Sequence, residues 1–128
     1  IEKALPLISV YKKKQYTEMI NKSILFINEN YSKDISLDDI AKTVFLTPRY
    51  IGKLFKDEMG TTVMSYITKL RMKRACDLLK NTNKRINEIA GEVGYNNVQS
   101  FIRFFKRYYY ITPIEFRKKY ITDEETVS

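Results

Sequence analysis

The chain has 128 residues, 44% of them hydrophobic and 30% charged, which is ordinary for a folded soluble protein of one-domain size. Four Gly and three Pro argue against a turn-rich β architecture, and a single Cys with no His excludes an internal disulfide, an ordinary zinc site and a Ser-His or Cys-His catalytic pair. The net charge of +8 suits a phosphate-rich partner, and no run approaches a membrane-spanning segment or a signal peptide, so a cytoplasmic protein without membrane contact is expected.

In chain order, Ile1 to Leu5 (IEKAL) reads as the tail of a helix that begins upstream. Pro6 and Lys12-Lys13-Lys14 follow as a boundary, so residues 1–15 are expected to be a linker or the end of a missing upstream domain. A helix is predicted from about Tyr16 to Asn30, with Met19, Ile20, Ile24 and Ile27 on one side. Ser36 is a good N-cap for a short helix through Val44, and Asp38 and Asp39 fall in its first turn, where the helix dipole favours acids. That dipole role outweighs a catalytic carboxylate pair.

Thr47 as N-cap and Pro48 at the first helical position open the next helix, which runs to Met59 and stops at Gly60. Ile51, Leu54 and Phe55 point inward, leaving Arg49, Gly52, Lys53 and Lys56 on other faces. A short helix, a tight turn and a second helix with a basic outer face make the helix-turn-helix pattern. In one such unit considered alone, Arg49, Lys53 and Lys56 are more often only a solvated face.

Val63 to Leu79 forms the long central helix, with Val63, Ile67, Leu70 and Leu78 in one stripe, a Thr61-Thr62 pair at its start and polar Lys80 to Asn83 at its end. Roughly 18 residues at ~1.5 Å rise span about 27 Å, close to the ~34 Å between successive major grooves on one side of duplex DNA. Residues 63–84 hold six basic residues and one acidic; residues 85–122 hold seven and three. Cys76 is expected to be a core thiol. Arg71 falls on the inward face, and an internal carboxylate partner such as Glu88 or Glu92 is expected for it, in competition with a phosphate contact.

From Arg85 the grammar repeats. Ile86, Ile89, Ala90 and Val93 pack inward, Gly94 closes a short helix, and Asn96 or Asn97 caps the helix Val98 to Tyr109. Phe101, Phe104 and Phe105 are assigned to the core, leaving Gln99, Ile102, Arg103 and Lys106 on the surface. Gln and Arg make bidentate pairs with adenine and guanine edges, and Ile can touch a thymine methyl. Arg107-Tyr108-Tyr109-Tyr110 is read as core rings with hydroxyls reaching the backbone, in preference to base stacking. Thr112-Pro113 opens a last helix through Tyr120, followed by an acidic tail, residues 123–128.

The two halves are copies. Ile40-Ala41-Lys42-Thr43-Val44 lines up with Ile89-Ala90-Gly91-Glu92-Val93 at an offset of 49, and Leu54-Phe55-Lys56 with Phe104-Phe105-Lys106 at 50, followed by Thr62 on Thr112 and Tyr66 on Phe116. A duplicated two-helix unit explains the pattern. An all-α fold of seven helices is expected, with two helix-turn-helix subdomains (16–62 and 82–122) joined by a long central helix (63–81).

Ile40-Ala41, Thr47-Pro48-x-Tyr50, Leu54-Phe55-Lys56-x-x-x-Gly60, Arg71-x-x-x-Ala75-x-x-Leu78-Leu79, Ile89-Ala90-x-x-Val93-Gly94-Tyr95 and Phe101-x-x-x-Phe105-Lys106, ending in Thr112-Pro113-x-x-Phe116-Arg117, resemble the DNA-binding domain of AraC/XylS-type transcriptional regulators. The resemblance covers about Tyr16 to Tyr120. It implies double-stranded DNA as partner, with two reading helices in adjacent major grooves. The family's base-contacting positions fall on Arg49, Gly52 and Lys53, then on Val98, Gln99, Ile102 and Arg103; Lys56, Asn97 and Lys106 are the phosphate-contact candidates. Gly52 and Val98 offer no donor, so sequence preference is expected to lean on Gln99 and Arg103. Tyr110 stands where the family has Gly, so it must take a left-handed cap or the helix must end differently.

The head of the chain is also similar to the last helix of a receiver domain leading into an output domain. A two-component response regulator is the implied parent, a ligand-sensing or membrane-anchored regulator the other possibility, and RNA polymerase the further partner. No cofactor, metal or catalytic residue is expected, and the chain is read as not an enzyme. The competing function is a helix-turn-helix module used for protein docking, which does not require Gln99, Arg103 and Lys106 on one exposed side.

Overall fold

A computed structural model describes residues 4–127, with side chains described for residues 10–121. Among these residues there are seven helices and no strand: α1 (Ala4–Asn30), α2 (Leu37–Val44), α3 (Pro48–Met59), α4 (Val63–Asn81), α5 (Ile86–Glu92), α6 (Val98–Tyr109) and α7 (Pro113–Val127). They form two compact units. The first holds α1, α2, α3 and the start of α4 to Ile67; the second holds the turn Tyr31–Asp34 and the chain from Thr68 onward.

Two expected boundaries are corrected. α1 does not begin near Tyr16: helix is already present at Ala4, so it occupies most of the stretch expected as a linker. At the other end α7 continues through Val127 and takes in the segment expected as a tail. No Pro or Gly follows Pro113, and Asp123-Glu124-Glu125 does not interrupt a helix.

In the first unit α1 packs on α2 and α3. Ile27, Ile40, Ile51 and Phe55 are fully buried, and Phe55 meets Tyr66 edge-on at 5.6 Å. The start of α2 is locked locally. The Ser36 hydroxyl accepts from Asp39 N (3.3 Å), while the Asp39 carboxylate accepts from Ser36 N (2.9 Å) and from its hydroxyl (3.0 Å). Those bonds hold the Asp39 carboxyl below its ordinary pKa. Gly52 has a packing reason: a Cβ there would stand 3.3 Å from Leu37 Cδ2, so a larger side chain would press α3 away from α2.

In the second unit Phe101, Phe105, Ile89, Val93 and Met72 are fully buried. Phe105 is the hub of the aromatic packing, 4.8 Å from Tyr109, 5.6 Å from Phe116 and 5.8 Å from Phe101. Phe104 departs from expectation: it is 36% exposed, because Phe101 and Phe105, with Ile102 and Tyr109 beside them, already fill the inward stripe of α6. Of the tyrosine run only Tyr109 packs against the core; Tyr108 and Tyr110 are exposed. Cys76 is only half-buried, beside Tyr109, and burial pushes its thiol pKa up.

Among the described residues Arg71 pairs with no carboxylate. Its Nε donates to Tyr31 O (2.7 Å) and its terminal nitrogen to Lys33 O (3.0 Å), and its guanidinium lies 5.3 Å from the Tyr95 ring centroid. The expected partners are engaged elsewhere. Glu92 holds Lys84 at 2.6 Å and Arg74 at 3.7 Å, and Glu88 accepts from Arg85 N at the start of α5. Arg117 makes a similar clasp, donating to Leu79 O (3.0 Å) and Thr82 O (3.2 Å) at the end of α4. Carbonyls at a helix's carboxyl end lack helical donors and carry the negative end of its dipole, so a planar guanidinium suits them.

Tyr110 takes the left-handed cap, at φ 68° and ψ 5°, beside φ 72° and ψ 5° for its repeat equivalent Gly60. A Cβ makes that conformation unfavourable, and Tyr110 is 87% exposed, so its ring offsets little of the strain. Tyr110→Gly is expected to stabilise the second unit by about 1 kcal/mol in urea denaturation, the entropy of a freer unfolded chain setting the upper limit. Destabilisation would mean that the ring contributes more than its exposure implies.

Candidate nucleic-acid interface

Each unit presents the second helix of a helix-turn-helix with its amino end fixed by a side-chain cap. Thr47 Oγ1 accepts from Tyr50 N (3.2 Å) at the start of α3. Asn97 Oδ1 accepts from Gln99 N (2.7 Å) and Ser100 N (3.2 Å) at the start of α6. Asn97, a phosphate-contact candidate, therefore has its side-chain oxygen committed to the cap and only its amide NH2 available as a donor. The Tyr50 side chain is turned toward α1, its ring 6.4 Å from that of Tyr16, and their hydroxyl bond raises the Tyr50 pKa.

Opposite the buried stripe, α3 exposes Arg49, Lys53 and Lys56, and α6 exposes Gln99, Arg103 and Lys106. Within each helix these residues stand at steps of four and three, one stripe along one face. Between helices every member falls on its counterpart at an offset of 50: Arg49 on Gln99, Lys53 on Arg103, Lys56 on Lys106. The duplicated fold thus carries a duplicated polar stripe with five cations and one amide. Ile102 differs from the rest of the candidate set, being half-buried against the core of the second unit with only part of its side chain outward.

A helix-turn-helix domain model matches residues 40–119, more than half the chain. The chain belongs to the AraC-type helix-turn-helix family of DNA-binding transcription regulators. It is 37% identical over 100 residues to the lactose operon transcription activator of Staphylococcus xylosus, a match covering 78% of this chain and 36% of that protein. Among solved structures it is similar to the C-terminal domain of the two-component response regulator yesN from Fusobacterium nucleatum, at 33% identity and TM-score 0.73, covering 79% of this chain and 96% of that one. A second is the C-terminal domain of AraT, a response regulator from Geobacillus stearothermophilus, at 29% identity and TM-score 0.77, covering 79% and 84%. The chain spans about a third of the length of several of the curated relatives it matches.

Sequence reasoning missed the outer surroundings of Arg103. The guanidiniums of Arg103 and Arg107 both lie against the Phe104 ring, which stacks on Tyr95, all in the second unit. The sequence carried no signal for this arrangement, since Phe101, Phe104 and Phe105 stand at i, i+3 and i+4, the spacing of one inward stripe. No helix among the described residues is long and apolar enough to cross a membrane.

Proposed function

We propose that this chain reads duplex DNA through α3 and α6, entering adjacent major grooves, with Arg49, Lys53, Gln99, Ile102 and Arg103 toward base edges and Lys56, Asn97 and Lys106 toward phosphates. The observation that carries the reading is the paired stripe. A polar face repeated residue for residue in two copies of a helix-turn-helix is what two successive contacts with one regular polymer require. A docking surface for a single protein partner requires no such repetition. Arg103 and Gln99 supply the planar donors and acceptors that discriminate guanine and adenine, while the lysines supply point charges that displace counterions.

In this reading the division of the chain is functional: residues 16–62 and 82–122 are the two readers, the helix 63–81 sets the distance between them, and α1 connects them to an upstream receiver or sensor domain. The likeness to the C-terminal domains of two response regulators supports an output domain of a response regulator. Contact with RNA polymerase, a cytoplasmic site of action and the lack of any enzymatic step belong to the same reading.

Arg103→Ala is expected to relax preference at one base pair, with a loss of about 1–3 kcal/mol on the preferred sequence, whereas Lys106→Ala weakens all sequences alike and lowers the salt slope by about one. Fluorescence anisotropy against a panel of single-base variants at several salt concentrations separates the two. Identical base preference in wild type and Arg103→Ala would remove Arg103 from the readers.

A further inference from the structure

Phe104 lies on the outer side of α6 with 36% of its surface exposed, while Phe101 and Phe105 on the same helix are completely buried. It is not loose. Its ring stacks on Tyr95, centroids 5.8 Å apart and planes at 29°. Tyr95 is itself held from two sides, by Phe101 at 5.7 Å and by the Arg71 guanidinium at 5.3 Å, which the carbonyls of Tyr31 and Lys33 fix in turn. The guanidinium carbons of Arg103 and Arg107 each lie 5.7 Å from the Phe104 centroid. Neither arginine takes part in the ion pairs found among the described residues, which join Arg74 and Lys84 to Glu92. The ring is therefore the identified partner that the two cations share, and the attraction is that of a cation for an aromatic quadrupole.

We infer that Phe104 is a positioning residue that sets base specificity: its ring, braced on Tyr95, holds Arg103 for bidentate reading of a base edge and Arg107 beside it for a flanking phosphate. The inference rests on the proposed role of Arg103 as a base reader. Bidentate pairing needs the guanidinium plane fixed in angle as well as position. An arginine free on a helix surface must surrender its rotamer freedom when it docks, and one already resting on a ring surrenders less. Leucine keeps apolar bulk against Tyr95 but has neither the stacked ring nor its quadrupole, so the hold on the arginines is lost, and the base-by-base readout separates that loss from a general effect of the lost stacking.

The test uses the full chain and the preferred site obtained from a random DNA pool. Discrimination at each base pair is measured for wild type, Arg103→Ala, Phe104→Leu and Phe104→Tyr. Phe104→Leu is expected to reduce discrimination about two- to fivefold at the base pair that Arg103→Ala affects, with the other positions unchanged, and Phe104→Tyr to retain it. Phe104→Leu discriminating like wild type, while Arg103→Ala does not, would overturn the inference and leave the reading by Arg103 standing. An equal loss at every position would also overturn it, since that marks a merely structural ring. Arg103→Ala with no effect at any base pair would overturn the reading and the inference together.

Discussion

Phe105→Ala is expected to cost the second unit about 3–5 kcal/mol, enough to leave much of it unfolded at physiological temperature. Phe105 is fully buried and packs against Phe101, Tyr109 and Phe116, side chains from two helices. Truncation removes the ring's transfer free energy and leaves a cavity whose lining is made of other rings, which cannot collapse into the space without losing their own packing. The effect belongs to α6 in particular, because the ring that fixes the rotation of this helix is the one deleted. Urea unfolding followed by far-UV circular dichroism measures it. A loss below about 1 kcal/mol would mean that the aromatic cluster is not the core of the unit.

Arg71→Ala is expected to cost about 2–4 kcal/mol and Arg71→Lys to recover less than half of it. The guanidinium makes charge-assisted bonds to two separate carbonyls, Tyr31 O and Lys33 O, each contributing about 1.5–3 kcal/mol before overlap between them is allowed for. An ammonium is a point charge and cannot present two donors in that fixed fork. Gly94 shows how close the approach is. Its φ is +109°, and a Cβ there would stand 3.0 Å from Arg71 Nε and 3.1 Å from Ser32 O. The comparison to make is thermal and urea stability of both variants beside Glu88→Gln. If Glu88→Gln matched Arg71→Ala, a carboxylate partner would be indicated; full rescue by lysine would show that charge alone suffices.

The parts of the fold legible in the sequence were those written in local chemistry. Ser36 before two aspartates, Thr47-Pro48, Asn97 and Gly60 mark helix ends because caps act within three or four residues, and the structure has each of them at a helix end. The duplicated Ile-Ala-x-x-Val and Phe-Lys motifs gave the two units for the same reason. The extent of α1 was not legible: Pro6 reads as a break, yet the helix runs through it from Ala4 to Asn30. The Arg71 acceptors were hidden because backbone carbonyls leave no mark on residue type, so a search for partners among side chains finds Glu88 and Glu92 instead. For the candidate site, residue types pointed to Arg49, Lys53, Gln99 and Arg103. The half-burial of Ile102 and the exposed ring of Phe104 depend on the rotation of α6, which only its packing sets.

Selection of bound duplexes from a random pool, read out by sequencing, tests the central claim most directly. Two readers on one chain predict an enriched site with two separate blocks of sequence preference, their centres about 10–10.5 base pairs apart, the second block responding to Arg103→Ala and the first to Lys53→Ala. Enrichment of a single short block, or of no sequence at all, would contradict it.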